Sequence, residues 1–285
     1  MADKTGIEWT DKTWNPVRGC SMVSEGCRNC YAMRFAHRWP KLYGGLTDST
    51  QRWTGDVRLV PEMLDAPLHW RKPRRIFVNS MSDLFHEAVP SQFIADCFGV
   101  MEKAKQHTFQ ILTKRPERLE EVMRLFCYGV PLPNVWLGVS VEDQATADER
   151  IPLLLETPAA VRFVSYEPAL GPVDFETWLN YGRLGEKWDS INWLIAGGES
   201  GPHARPAHPD WFRSVRDQCL AAQVPFFFKQ WGEWCGFEDA GKHYVGAVLK
   251  ERTHSWPNGR VSYRVGKKAA GRLLDGREWN EYPER

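Results

Sequence analysis

A short apolar run, a polar turn, then a stretch with helical spacing: this unit recurs along most of the 285-residue chain and restricts its fold more than any other feature. The apolar runs fall at residues 75–79 (RIFVN), 108–112 (TFQIL), 134–139 (NVWLGV), 161–165 (VRFVS), 191–196 (INWLIA) and 225–228 (PFFF). Each is short and rich in β-branched or aromatic residues, which predicts strands. Between them the spacing predicts helices over 91–106, 116–126, 143–156 and 209–223. Ser91 and Asp143 are the expected N-caps, and Pro116 and Pro209 suit first-turn positions. An earlier strand over 13–18 leads into Cys20. Strands alternating with helices predict parallel βαβ units. Six or seven of them predict an α/β fold built as a full or partial parallel (β/α) barrel, with the cysteine loop after its first strand.

From about Lys229 onward the chain is richer in Gly, Trp and charge, with loosely alternating pieces at 243–249 and 260–265 and a candidate short helix at 267–274. The expected organisation is therefore a barrel over 1–228 and a small C-terminal extension with a hairpin over 229–285. Residues 41–55 are expected to form an exposed loop. The 14 tryptophans suit packing first and flat stacking surfaces second.

The ends of the strands carry the chemistry. Ser80, Ser82 and Asp83 follow the run at 75–79, Lys114 and Arg115 the next, then Ser140 and Glu142, Glu167, Gly197-Gly198-Glu199, and Lys229-Gln230. In parallel α/β folds this is the edge where ligands bind. Asp83, Glu142 and Glu167 suit ribose hydroxyls or an ammonium group, or simply the first turns of helices. The Lys114-Arg115 pair suits a carboxylate or phosphate, or a solvated helix start. Glu199 can meet a ligand amine or pair with Arg205. His86, His203 and His208 read as structural, and Cys97, Cys127 and Cys219 as core thiols.

Cys20, Cys27 and Cys30 stand apart, spaced C-x6-C-x2-C. Seven cysteines, an odd number with three in one short loop, fit ligation better than a disulfide framework. Three thiolates this close can hold a soft metal or an iron–sulfur cluster. With His37 they also read as a three-cysteine, one-histidine zinc site, which would make the chain a zinc-stabilised binding protein. A net charge of +1 argues against general coating of nucleic acid but leaves room for a local basic groove. The basic run 71–75 is one candidate for phosphate contact, although it precedes a strand and so lies at the other edge. No apolar run approaches a membrane span and no signal-peptide core follows residues 1–4, so a cytoplasmic protein with no membrane partner is expected.

The strings TWNPVRGC, GCRNCYA, SMSDLFH, LTKRPER, GVSVE, GGESG and FFKQWGEW resemble a phage- and prophage-associated family of radical S-adenosylmethionine-like proteins, over a span from Trp9 to about Arg277. The resemblance implies a [4Fe–4S] cluster held by Cys20, Cys27 and Cys30, with a fourth iron that takes the methionine end of S-adenosylmethionine. It implies reductive cleavage of that cofactor to a 5′-deoxyadenosyl radical and an electron donor of flavodoxin or ferredoxin type. Ser80, Ser82, Asp83, Lys114, Ser140, Glu142, Glu167, Gly197, Gly198 and Glu199 are then the candidate cofactor contacts. Trp231 and Trp234 are candidates for a lid or a substrate platform, and the substrate class is nucleic acid or a nucleotide. The superfamily's usual first spacer is shorter; Gly19 and Gly26 allow the wider loop needed here.

Overall fold

The computed structural model describes residues 5–126, 130–180 and 190–284. In chain order the elements are β1 (Lys12–Trp14), β2 (Val17–Arg18), α1 (Tyr31–Arg38), α2 (Pro40–Tyr43), β3 (Arg58–Leu59), β4 (Arg75–Val78), α3 (Ser91–Lys103), β5 (Thr108–Thr113), α4 (Pro116–Phe126), β6 (Val135–Val141), α5 (Gln144–Glu156) and β7 (Val161–Tyr166). They continue as α6 (Glu176–Asn180), β8 (Trp193–Gly197), α7 (Pro209–Ala222), β9 (Phe226–Gln230), β10 (Trp234–Gly236), α8 (Phe237–Ala240), α9 (His243–Leu249), β11 (Thr253–Ser255), β12 (Val261–Arg264) and α10 (Lys267–Ala270). The fold is mixed α/β. Its principal sheet has seven strands in the order β1-β4-β5-β6-β7-β8-β9, so that successive βα units add strands on one side only.

Two compact units divide the chain: Met1–Val139 with Arg150–Arg162, and Ser140–Glu149 with Phe163–Arg285. In the first, β1 pairs parallel with β4, β4 with β5 and β5 with β6. Trp14, Ile76, Val78, Phe109 and Ile111 on these strands are buried, as are Ile94, Cys97 and Met101 on α3 and Leu119 and Val122 on α4. In the second, β7 pairs parallel with β8 and β8 with β9. Phe163, Val164, Leu194, Ile195, Phe226 and Phe228 are buried there, as are Phe212, Val215 and Cys219 of α7. All seven residues of β6 and all six of β7 are buried, which is why these strands read as continuous apolar runs rather than alternating ones. The three short strands β10, β12 and β11 form an antiparallel sheet within the second unit, with β11 and β12 as a hairpin.

Four expectations need correcting. The strand expected over 13–18 is two strands: β1 stops at Trp14, Pro16 has no N–H to continue a ladder, and β2 pairs antiparallel with β3 instead. Cys20 therefore follows this small ribbon and not the first parallel strand itself. The N-cap of α3 is Pro90, while Ser91 Oγ, inside the helix, accepts from Arg118 Nη2 at 2.6 Å. Residues 243–249 look alternating but form α9, because Tyr244 and Ala247, three apart, are the ones turned toward the protein. Tyr244 packs edge-on against Phe237 and Tyr263. The stretch 41–55 is mostly exposed as expected, but Tyr43 and Leu46 anchor it with Ala32, Ala36 and Met81. Asp143 does cap α5, its Oδ1 accepting from the Thr146 N–H at 2.9 Å. Cys127 lies outside the described residues.

Buried charge in the second unit makes one stability prediction. Asp239 on α8 has a nearly buried side chain, 3.4 Å from Arg213 Nη2. Burial pushes its carboxyl up to about 6, with Asp275 and Glu238 adding to the rise and Arg213 opposing it. A folded value above the unfolded one means that Asp239 favours the fold below about pH 4 and loses that contribution as pH rises to about 6. The Asp239→Asn variant should melt above the wild type at pH 7.5, with the gap closing as pH falls to 4. Thermal melts across that range test this, and a variant less stable at pH 7.5 would refute it.

Candidate functional site

The segment after β4 steers the chain into the cysteine loop. The Asn79 N–H donates to the Trp14 carbonyl at 2.7 Å, and Asn79 Oδ1 accepts from the Val17 N–H at 3.3 Å. Asn15 Oδ1 accepts from Ser80 Oγ and from the Met81 N–H, each at 3.2 Å. Ser82 Oγ donates to the Val17 carbonyl at 2.8 Å, and Gly19 pairs in parallel with Ser82. The hydroxyl protons of Ser80 and Ser82 thus hold the stem of the loop. Gly19 turns the chain at φ +89°, and a Cβ there would lie 2.3 Å from the Asp56 carbonyl oxygen, so only glycine fits before Cys20.

The loop then closes on itself. A 3-10 turn over Glu25–Cys27 is followed by the Cys30 N–H donating to the Cys27 carbonyl at 3.2 Å. Cys30 is the N-cap of α1, whose Ala32, Met33 and Ala36 are buried. The Tyr31 hydroxyl donates to the Ser80 carbonyl at 2.5 Å, tying α1 to the strand-end segment. Cys20, Cys27 and Cys30 are all free and half-buried.

Asp83 is the hub beside them. Its carboxylate accepts from Thr113 Oγ1 at 2.8 and 2.9 Å, from the Phe85 and Lys114 N–H groups at 3.0 and 3.2 Å, and from Arg115 Nη1 at 3.0 Å. Saturated in this way, Asp83 joins the ends of β4 and β5. Arg115, 8% exposed, is the member of the expected Lys114-Arg115 pair that turns onto this network. The signal was present: Lys114 and Arg115 are adjacent, and only a planar five-donor group can bridge this many acceptors.

Ser21, His86 and Glu87 complete the network. His86 Nδ1 accepts from the Ala88 N–H at 3.1 Å, which assigns the ring proton to Nε2, 2.9 Å from Ser21 Oγ. Burial, aided by Arg115, holds the His86 pKa below its usual value, so the ring is neutral at pH 7. Ser21 Oγ also accepts from Arg115 Nη2 at 2.6 Å and donates to Glu87 Oε1 at 3.3 Å. His86 is structural, as expected, but its structure is the scaffold of the cysteine loop.

Burial pushes the Cys20 thiol up to about 12, with Asp83, Cys30 and Cys27 adding to the rise and Arg115 opposing it. Cys30 is raised by burial and by Cys27, against the pull of the Ala32 and Met33 N–H groups and of Lys114. Cys20 and Cys30 therefore share one neighbourhood with Cys27, and both resist ionising there. A soft cationic centre removes that penalty, because it takes thiolates as ligands. Among the described residues no group of three or more His, Cys, Asp and Glu side chains is placed to hold a single metal ion, and His37 is exposed on α1. The compact zinc arrangement is thus not preformed. An iron–sulfur cubane takes each thiolate on a different iron, and three free cysteines in one loop match that donor requirement.

The second unit holds its own polar group. Lys229 Nζ lies 2.9 Å from both oxygens of Glu167, and Gln230 Nε2 donates to Ser200 Oγ at 3.0 Å and more weakly to Glu167 at 3.4 Å. These are the C-terminal ends of β7, β8 and β9. Glu199 forms a fork with Arg205, through Nε at 3.0 Å, Nη2 at 2.6 Å and the backbone N–H at 2.8 Å, so the pairing alternative holds for it. Gly198 faces backbone: a Cβ there would lie 2.0 Å from the Trp231 carbonyl oxygen, and one on Gly197 would touch the Glu167 carboxylate at 3.3 Å. Ser140 and Glu142 are buried, the Glu142 carbonyl accepting from the Leu170 and Gly171 N–H groups. Trp231 is no lid: it is 1% exposed, packs on Phe212 and Phe228, and donates its Nε1 proton to Leu273. Trp234 Nε1 is likewise committed, to the Ala204 carbonyl at 2.7 Å. Both are fixed by packing, as the first reading of the tryptophans has it.

No helix among the described residues is long and apolar enough to cross a membrane. No curated protein and no solved structure matches the chain. A family model does match, over residues 4–283, under the description "Protein of unknown function (DUF5131)". With nearly its whole length covered by that model, the chain belongs to the DUF5131 family.

Proposed function

We propose that this protein is a radical S-adenosylmethionine enzyme whose [4Fe–4S] cluster is held by Cys20, Cys27 and Cys30. The observation that carries the reading is the three-thiol loop, fastened to the C-terminal ends of β4 and β5 by Ser82, Asp83 and Arg115. Sequential strand order supports the partial (β/α) barrel that goes with such chemistry, since a doubly wound sheet reverses its order at a switch point. When bound, the cluster supplies the electron that opens the sulfonium C–S bond, which no side chain can do.

The chain's own residues have narrower tasks. Cys20, Cys27 and Cys30 give up their protons on loading, and Lys114 and Arg115 supply the positive charge that favours the thiolate forms of Cys30 and Cys20. Ser80, Ser82 and Asp83 shape the loop through the contacts above, so their side chains position the site. Lys114 is the first-unit side chain best suited to a cofactor carboxylate. Glu199 and Gly198 have structural work that accounts for them.

For substrate, the exposed face of α1 favours nucleic acid. Tyr31, Phe35 and Trp39 are exposed at helical spacing, with Phe35 and Trp39 stacked at 5.9 Å and 24°. Arg28, Arg38 and Lys41 are exposed around them. Aromatic faces set among cations are how single strands are held without sequence readout. A flavodoxin- or ferredoxin-like donor and a reducing, cytoplasmic setting complete the proposal.

Anaerobic purification with iron and sulfide analysis tests it, together with EPR of the dithionite-reduced protein. About four irons per chain are expected, with a signal that changes on adding S-adenosylmethionine. Zinc in place of iron, or no metal after reconstitution, would sink the radical reading. A gel shift with single-stranded DNA or RNA at low salt tests the substrate class.

A further inference from the structure

Arg115 has five N–H donors, and each has an acceptor. Nε donates to Glu87 Oε2 at 3.1 Å. Nη1 donates to Asp83 Oδ2 at 3.0 Å and reaches Cys20 Sγ at 3.9 Å. Nη2 donates to Ser21 Oγ at 2.6 Å and to the Ser21 carbonyl at 3.3 Å. One guanidinium therefore clamps the residue after Cys20, the Cys20 sulfur itself and the carboxylate that joins β4 to β5. Nothing about loop stability requires a buried cation to be aimed at a thiol. Serine and the two carboxylates would satisfy most of the fork alone.

We propose that Arg115 is a positioning residue that fixes Cys20 as a ligand and that its charge sets the reduction potential of the cluster, an inference that rests on the cluster reading above. Reduction adds one electron to a group already made anionic by its thiolates. A cation against one sulfur, largely out of water, stabilises the reduced form more than the oxidised one and raises the potential. Glu87 works in the opposite sense from the far side of the fork. Its side chain is 69% exposed, so solvent screens it and its effect is smaller.

Redox titration by EPR, with dithionite as the electron source, decides the matter on the full reconstituted chain. Iron content and thermal melts are recorded in parallel. Arg115→Gln should lower the equilibrium constant for one-electron reduction at least tenfold, about 59 mV toward more negative potential. Arg115→Lys keeps the charge but loses the fork, so its potential should fall between that of Arg115→Gln and the wild type. Glu87→Gln, an exposed change, should shift the potential the other way by a smaller factor. An iron-loaded Arg115→Gln protein with wild-type potential overturns the proposal and leaves the cluster reading intact. Should Arg115→Gln not load iron, the Glu87→Gln arm decides, and no positive shift there overturns it. Wild-type protein that takes up no iron overturns both.

Discussion

Alanine at any one of Cys20, Cys27 or Cys30 should reduce reconstituted iron from about four per chain to a small residue, while Cys97→Ala and Cys235→Ala keep it. The contrast follows from where the sulfurs lie. Cys97 and Cys235 are fully buried and behave as small apolar groups, each pushed up to about 12 by burial. Cys20 is raised as far, but two further thiols and a carboxylate contribute to the rise, and a guanidinium opposes it. On the proposed cluster reading, losing one of three ligands would leave two irons open to water and oxygen. In the metal-free protein the same three substitutions should cost little, because each removes one free, half-buried sulfur and no disulfide. Iron and sulfide analysis of the five variants, with melts of apo and reconstituted forms, separates ligation from folding. Equal iron in wild type and in all three loop variants would remove these cysteines from the metal site.

The parallel βα units were legible because buried parallel strands are continuous apolar runs and the helices between them carry their own start signals. Strand ends were legible to within two residues for the same reason. What was not legible depended on contacts distant in sequence. Pro16 breaks the expected strand over 13–18, yet only the pairing of β2 with β3, some 40 residues on, shows where the chain goes. Valines and a tyrosine gave 243–249 a strand-like alternation that packing against Phe237 and Tyr263 overrides. At the site, the strand-end pattern found Asp83 and Lys114 but assigned them to a ligand. Five protein hydrogen bonds to Asp83 make it a scaffold instead. Arg115 is expected only as half of a basic pair, because its role lies in the direction of its fork, which neighbouring residues do not encode. Gly197 and Gly198, expected as cofactor contacts, have a nearer cause in the protein groups they face.

That cause makes Gly198→Ala a severely damaging small change in the second unit. The turn after β8 and the turn after β9 cross with their backbones in contact. The Gly198 N–H donates to the Gln230 carbonyl at 3.0 Å, and the Glu233 N–H to the Glu199 carbonyl at 3.0 Å. A Cβ on Gly198 would stand 2.0 Å from the Trp231 carbonyl oxygen and 2.8 Å from its carbon. From the other side, a Cβ on Gly232, at φ +80°, would stand 2.2 Å from the Glu199 carbonyl oxygen. Backbone pinned by two hydrogen bonds cannot step aside as a side chain can, so the cost should exceed the roughly 1–3 kcal/mol of ordinary overpacking. A loss above about 3 kcal/mol lowers the melting temperature by some 6–12 °C in a unit of this size. Gly246→Ala is the control: it lies within α9 with nothing inside 4 Å of the new methyl, and should stabilise by about 0.5–1 kcal/mol. If Gly198 instead served only to admit a ligand, Gly198→Ala would melt like the wild type and lose S-adenosylmethionine binding alone. Paired melts and binding measurements on the two variants tell these apart: steric crossing predicts a large stability loss at position 198, and ligand approach predicts none.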